Sequence, residues 1–115
     1  MNLQERTEQG VVVIEIEGEA DLATVPKFQS LMRDKMKENH PRLIIDFTKV
    51  TFVNTPVWAV VVEYYQHTHK AKSELALAGL QNRVEASFNI VRLGEFIPHF
   101  PTLDEALTGG SASSP

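Results

Sequence analysis

Two hydrophobic periods alternate along the chain, and they predict the order of its secondary structure. Residues 11–19, VVVIEIEGE, partly alternate apolar and acidic side chains, as a half-buried strand does. Residues 2–7 precede them as a short first strand, with Gln9-Gly10 as the turn between the two. The chain is therefore expected to begin with two neighbouring strands.

A helix follows, because apolar residues next recur at the spacing of one helical face. This face runs from Val25 to Met36, with Thr24 as the predicted N-cap, and Pro41 prevents its continuation. The basic residues on its polar side are expected to be solvated: Arg33, Lys35 and Lys37.

The apolar run RLIIDF at residues 42–47 predicts a strand covered on both faces, which completes a βαβ unit. Asp46 is expected to accept hydrogen bonds from a turn at residues 48–50. The later elements are predicted in order: a helix from Thr55 to about Lys70, a strand from Glu74, a helix at residues 82–90, a short edge strand near residues 97–100, and a last helix at residues 103–107 with Thr102 and Glu105 as its capping box.

This order predicts an α/β fold, with a mixed, mostly parallel sheet of about four to five strands flanked by about four helices. The 115 residues suffice for one hydrophobic core, so residues 1–107 are expected to form a single domain. Residues 108–115, TGGSASSP, are low in apolar bulk and are expected to be a disordered tail.

The composition of the chain argues against several classes of function. A net charge of −4 gives no broad basic face, so no nucleic-acid partner is expected. The absence of cysteine excludes thiolate metal sites and thiol nucleophiles and suits the cytoplasm. No apolar run approaches the length of a bilayer span, so no membrane insertion is expected.

Motifs of catalysis are missing as well. The chain has no Walker loop, GxGxxG, GxSxG or HExxH, and we expect neither an enzyme nor a cofactor. His67 and His69 lie two apart on a helix, which makes them a poor ligand pair, and a favourable charge at the helix C-terminus explains them better than a metal.

Three segments of the chain resemble the STAS domains, the family shared by sulfate transporters and anti-anti-sigma factors. GEADLATVPKFQSLM is similar to the family's Gly-Glu-x-Asp turn and first helix. LIIDFTKVTFVNTPVWAVVVEYY resembles its apolar strand, Asp-Leu-Ser, Val-x-Phe and Asp-Ser-Ser-Gly-Leu-Gly segment. LALAGLQNRVEASFNIVRLGEFIPHFPTLDEAL resembles its closing strand, helix and final helix, so the resemblance spans nearly the whole chain.

This resemblance implies an anti-sigma factor antagonist that works by partner switching. The unmodified protein would bind an anti-sigma factor with serine/threonine kinase activity, of the GHKL ATPase type, and so release a sigma factor. Phosphorylation at a helix mouth would break that complex, and a metal-dependent phosphatase would restore it. The phosphorylated position falls on Thr55, the acidic position before it on Asn54, and the loop aspartate on Asp21.

Thr55 has a second interpretation. Pro56 suits the first position of a helix, which makes Thr55 its predicted N-cap, with the hydroxyl accepting from the free N–H groups of Val57 or Trp58. A helix N-terminus also stabilises an added phosphate, so cap and phosphorylation site are compatible.

The chain departs from the family pattern at this helix mouth. Asn54 lacks the usual carboxylate, Pro56 lacks an N–H group, and Val57-Trp58-Ala59 stands where the family has Gly-Leu-Gly. The expected partner surface is nevertheless this loop and helix mouth: Asp21, Asn54, Thr55, Pro56, Val57 and Trp58.

Trp58, the sole tryptophan, has two interpretations of its own. One is packing in a small core, and the other is an exposed aromatic anchor for a partner. Under the second, replacing it by alanine weakens binding more than folding.

Two other functions within the same family are open. One is a STAS subunit that docks on the ATPase of a lipid-transport ABC system, whose members also tend to carry a threonine at this helix mouth. The other is a stressosome-type scaffold, although such scaffolds usually carry a further sensory domain.

Overall fold

The protein, in a computed structural model that describes residues 2–109, alternates strands and helices in the predicted order. Its elements are β1 (Asn2–Glu8), β2 (Val11–Ala20), α1 (Val25–Glu38), β3 (Arg42–Val53), α2 (Thr55–Ala71), β4 (Glu74–Ala78), α3 (Asn82–Ile90), β5 (His99–Phe100) and α4 (Leu103–Gly109). A short 3-10 turn at Leu93–Glu95 follows α3. The predicted tail begins inside α4, and residues 110–115 lie outside the described residues.

The strands form one five-stranded sheet in the order β1-β2-β3-β4-β5. β1 pairs antiparallel with β2, and the other neighbours pair parallel. The parallel pairs are connected through helices because such crossovers need a long connection. The predicted fold class, an α/β domain with a mixed and mostly parallel sheet, is confirmed.

The core is divided by the sheet, because strand side chains alternate between its faces. On one face, Leu43 and Ile45 of β3 belong to the main apolar cluster, which also includes buried residues of α1, α2 and α3. On the other, Ile44 packs in a smaller cluster with Ala106 of α4. The sheet is therefore covered on both faces, as the apolar run in β3 predicts.

β3 is longer than predicted, and the expected turn after Phe47 is wrong. The strand continues to Val53 because β2 extends beside it as far as Ala20, with two register shifts between the pair. Asp46 does accept from Thr48, whose N–H lies 3.0 Å from Oδ1 and whose hydroxyl also donates to it. This carboxylate therefore stabilises an irregular stretch of strand instead of a turn.

Lys35 is not solvated, in contrast to the expectation for the polar side of α1. Its side chain is 6% exposed, and its Nζ donates to Glu5 of β1 and to Glu38 at the end of α1. Burial opposes the charge, but these hydrogen bonds outweigh it and raise the pKa of Lys35. The sequence could not show this pairing, because Glu5 reaches α1 only after β1 has joined the sheet.

Candidate functional site

The expected partner surface lies at the carboxyl edge of the parallel strands. β2 ends at Ala20 and β3 at Val53, and these two residues are register partners. The N–H of Asn54 then donates to the carbonyl of Ala20 at 2.9 Å. This bond brings the loop at Asp21 beside the mouth of α2, so two segments far apart in sequence form one surface.

Thr55 is the first residue of α2, and its prediction as the N-cap is wrong by one position. Asn54 takes the cap position in extended backbone, and its carbonyl accepts from Val57 at 2.9 Å. The cap was predicted one residue too late because Pro56 is tolerated at the second helical position as well as the first. Within the described residues the Thr55 hydroxyl makes no hydrogen bond, and the residue is exposed.

Asp21 organises the loop that faces this helix mouth. Its Oδ1 accepts from the Ala23 N–H at 3.1 Å and from the Thr24 hydroxyl at 3.3 Å. Thr24 occupies the predicted N-cap position of α1, but its hydroxyl donates back to the Asp21 carbonyl at 2.8 Å instead of capping the helix. The Asp21 side chain therefore closes an Asx-turn, which stabilises the loop.

Trp58 and Val57 are buried, which corrects their expected role as surface contacts. Trp58 is 2% exposed, and its ring lies 5.4 Å, centroid to centroid, from both Phe47 and Phe88. Its indole N–H donates to Ser87 of α3 at 2.8 Å. The sequence of α2 alone could not show that Phe88 and Ser87 of α3 cover this ring.

Two exposed apolar side chains at this edge were not predicted from the sequence. Leu22 is 64% exposed in the loop after Asp21, and Phe52 is 41% exposed near the end of β3. Phe52 pairs with Glu19 in the sheet, so it lies close to where the Asp21 loop begins. Strict alternation would place Phe52 on the same face as the buried Val50, so the sequence carries no local signal for its exposure.

The arrangement suits recognition by a partner. Across residues 2–109, no group of three or more histidine, cysteine, aspartate or glutamate residues could hold a metal ion. The His67 ring instead lies 5.7 Å, centroid to centroid, from Tyr64, and the His69 ring lies edge-on to Tyr65 at 4.7 Å. Nor does any helix in the described part of the chain have the length and apolar character to span a membrane. The edge therefore presents an exposed hydroxyl, a loop closed by hydrogen bonds to Asp21 and two apolar side chains.

Comparison with known proteins gives the same fold. The family model for the STAS domain matches residues 2–106. An anti-sigma factor antagonist from Mycobacterium paratuberculosis is similar over 94% of this chain and 92% of its own, with 23% identity and a TM-score of 0.87. The anti-sigma factor antagonist SpoIIAA in its unphosphorylated form is similar over 96% of this chain and 97% of its own, with 18% identity and a TM-score of 0.82.

A second SpoIIAA structure extends this comparison to a modified state. The Bacillus cell fate determinant SpoIIAA in the phosphorylated form is similar over 92% of this chain and 96% of its own, with 18% identity and a TM-score of 0.72. These likenesses establish a shared fold.

Proposed function

Because the chain belongs to the STAS domain family, we propose that it is an anti-sigma factor antagonist whose binding is switched by phosphorylation of Thr55. Its partner is an anti-sigma factor with serine/threonine kinase activity, and a metal-dependent phosphatase reverses the modification. The chain acts as a binding module and a kinase substrate, not as a catalyst. Structural relatives that carry the name of anti-sigma factor antagonist, one of them in a phosphorylated form, support this proposal.

The observation that carries the proposal is the state of the Thr55 hydroxyl. It is exposed at the first residue of α2 and is not used to cap the helix, so a kinase can reach it without breaking a native bond. The helix dipole favours an added phosphate at this end. Asn54 adds no negative charge beside that phosphate.

The surface around Thr55 explains how a phosphate would act as a switch. Leu22 and Phe52 expose apolar surface that a bound partner would cover and shield from water. A phosphate adds close to two negative charges at neutral pH. Placing that charge within a desolvated contact opposes binding, so the unmodified state is the one that binds.

A pull-down with identification by mass spectrometry tests the proposal. Wild type is used as bait in a lysate of the source organism beside Thr55→Glu, which mimics the charge of the phosphate. Ser30→Glu is the matched control, because Ser30 is exposed in the middle of α1 and the substitution adds the same charge away from the edge. We expect wild type and Ser30→Glu to capture a GHKL-type kinase and Thr55→Glu to lose it.

Two results would contradict the proposal. If all three baits retain the kinase equally, Thr55 is not a switch. If they capture the ATPase of an ABC transport system instead, the chain is a docking subunit of that system.

A further inference from the structure

A groove separates α1 and α2 and begins beside the proposed phosphorylation site. Its volume is about 480 Å³, and its α2 wall starts at Pro56, the residue after Thr55. Val25 and Gln29 of α1 line the opposite side. The groove therefore lies next to the carboxyl edge of the sheet but is formed by helices alone.

The α2 wall of this groove is unusually poor in charge for the exposed side of a helix. From Thr55 to Gln66 the helix has one charged residue, Glu63. Ala59 is exposed and Val62 half-buried along the wall. Helices that face water normally carry charged residues on their outer side, whereas the centres of interfaces are depleted of charge. The composition of this wall suits contact with another protein.

Glu63 lacks a donor for one of its two carboxylate oxygens. Its Oε2 accepts from Arg33 of α1 at 3.2 Å across the groove. Its Oε1 is buried and has no hydrogen-bond partner among the described residues. A buried carboxylate oxygen ordinarily has a partner, and a charged donor gives the strongest bond. The groove thus combines apolar side chains with one carboxylate, on a side chain that is 37% exposed and can take a cationic donor.

From this combination we infer that the groove receives a segment of a partner protein that carries an apolar side chain next to a lysine or arginine. The apolar side chain covers Ala59 and Val62, and the basic group donates to Glu63. This contact does not rest on phosphorylation of Thr55, because none of its groups is the Thr55 hydroxyl.

Selection from a random peptide library displayed on phage tests the inference without a known partner. The library is depleted on Ala59→Arg, whose long cationic side chain fills the groove, and is then selected on wild type. Ala86→Arg is the matched control, since Ala86 is an exposed alanine in a helix of the same domain. Fluorescence anisotropy with synthetic peptides then measures the Kd for each variant, and circular dichroism confirms that each one folds.

We expect enriched peptides that combine an apolar residue with lysine or arginine. Ala59→Arg should weaken their binding by about tenfold or more, while Ala86→Arg leaves it within about twofold. Glu63→Gln should weaken it by about three- to tenfold and remove the advantage of the basic residue over methionine at the same peptide position.

Three outcomes overturn the inference. The first is a selection that yields no peptide with a preference for wild type over Ala59→Arg. The second is a set of enriched peptides that bind Glu63→Gln as tightly as wild type. The third is a wild-type dimer in light scattering that Ala59→Arg dissociates, because a second copy of this chain would then cover the groove.

Discussion

The indole Nε1 of Trp58 donates a 2.8 Å hydrogen bond to the hydroxyl of Ser87, which joins the first turn of α2 to α3. The bond gives the polar end of a buried aromatic ring the partner it needs. Since the ring also packs between Phe47 and Phe88, one side chain connects the sheet to two helices. The core contacts of Trp58 therefore fix the position of the first turn of α2.

Removing this ring should destabilise the whole domain. We expect Trp58→Ala to lower the free energy of unfolding by about 3–5 kcal/mol through loss of buried area and the cavity left behind. Ser87→Ala should cost about 1–3 kcal/mol because the indole N–H is left without its partner. Urea unfolding followed by far-ultraviolet circular dichroism measures both. A Trp58→Ala variant as stable as wild type would show that the ring is not part of the core.

Thr55 should contribute little to stability, in contrast to a helix cap. Because its hydroxyl makes no hydrogen bond to the helix, Thr55→Val is expected to change the free energy of unfolding by less than about 0.5 kcal/mol. Loss of a working cap costs about 1 kcal/mol. The same urea titration distinguishes the two. A cost of a full cap would mean that the hydroxyl does bond to the helix in solution.

Much of the fold could be predicted because its signals are local. The βαβ unit follows from one alternating strand, one apolar helical face and Pro41. The limits of β3 could not be predicted in the same way, because residues beyond Phe47 are held in the sheet by the pairing of Ala20 with Val53. Pairing across such a sequence distance has no local signature.

At the candidate site, too, some features could be predicted from the sequence and others depend on distant elements. The resemblance placed Asp21, Asn54 and Thr55 at one edge, and the structure brings them together there. Val57 and Trp58 are both buried, and Trp58 contacts Phe88 and Ser87 of α3, which the sequence of α2 alone cannot show. Residues near helix ends are thus well located by sequence, while their exposure is decided by distant elements.

Glu38 should make stability depend on pH. Its carboxylate accepts from His40 and then Lys35, and these bonds lower the pKa of Glu38 below its ordinary 4.5. A carboxyl with a lowered folded pKa stabilises the fold at pH values above its unfolded pKa, and that contribution is lost as the pH falls through the folded value.

Thermal unfolding of wild type and Glu38→Gln measures this effect. We expect the variant to have the lower Tm near neutral pH and the difference to shrink as the pH falls below about 4.5. Glu95→Gln, which removes an exposed carboxylate of the 3-10 turn, serves as the control and should show no such trend. A Tm difference that is the same at every pH would contradict the assignment to this carboxyl.

Gly79 should tolerate no side chain, because it follows β4 at a close approach to β3. Its φ is +71°, and a Cβ there would lie 2.8 Å from the backbone N and Cα of Thr48. Gly79→Ala is expected to cost about 2–4 kcal/mol from the left-handed backbone and the clash together.

Gly10 is the matched control for this clash. It also has a positive φ, +80°, but a Cβ would meet nothing within 4 Å, so Gly10→Ala should cost only about 1–2 kcal/mol. Chemical denaturation of the two variants compares them directly. Equal losses would show that the approach to Thr48 is not the limiting contact.

The central claim is that Thr55 is the modified residue, and tandem mass spectrometry of the protein purified from its own cells tests it most directly. We predict a phosphate on the peptide that contains Thr55, with fragment ions that assign it to that residue, and no such modification in a Thr55→Val strain. An unmodified Thr55 under all growth conditions, or a phosphate assigned to another residue, would contradict the account.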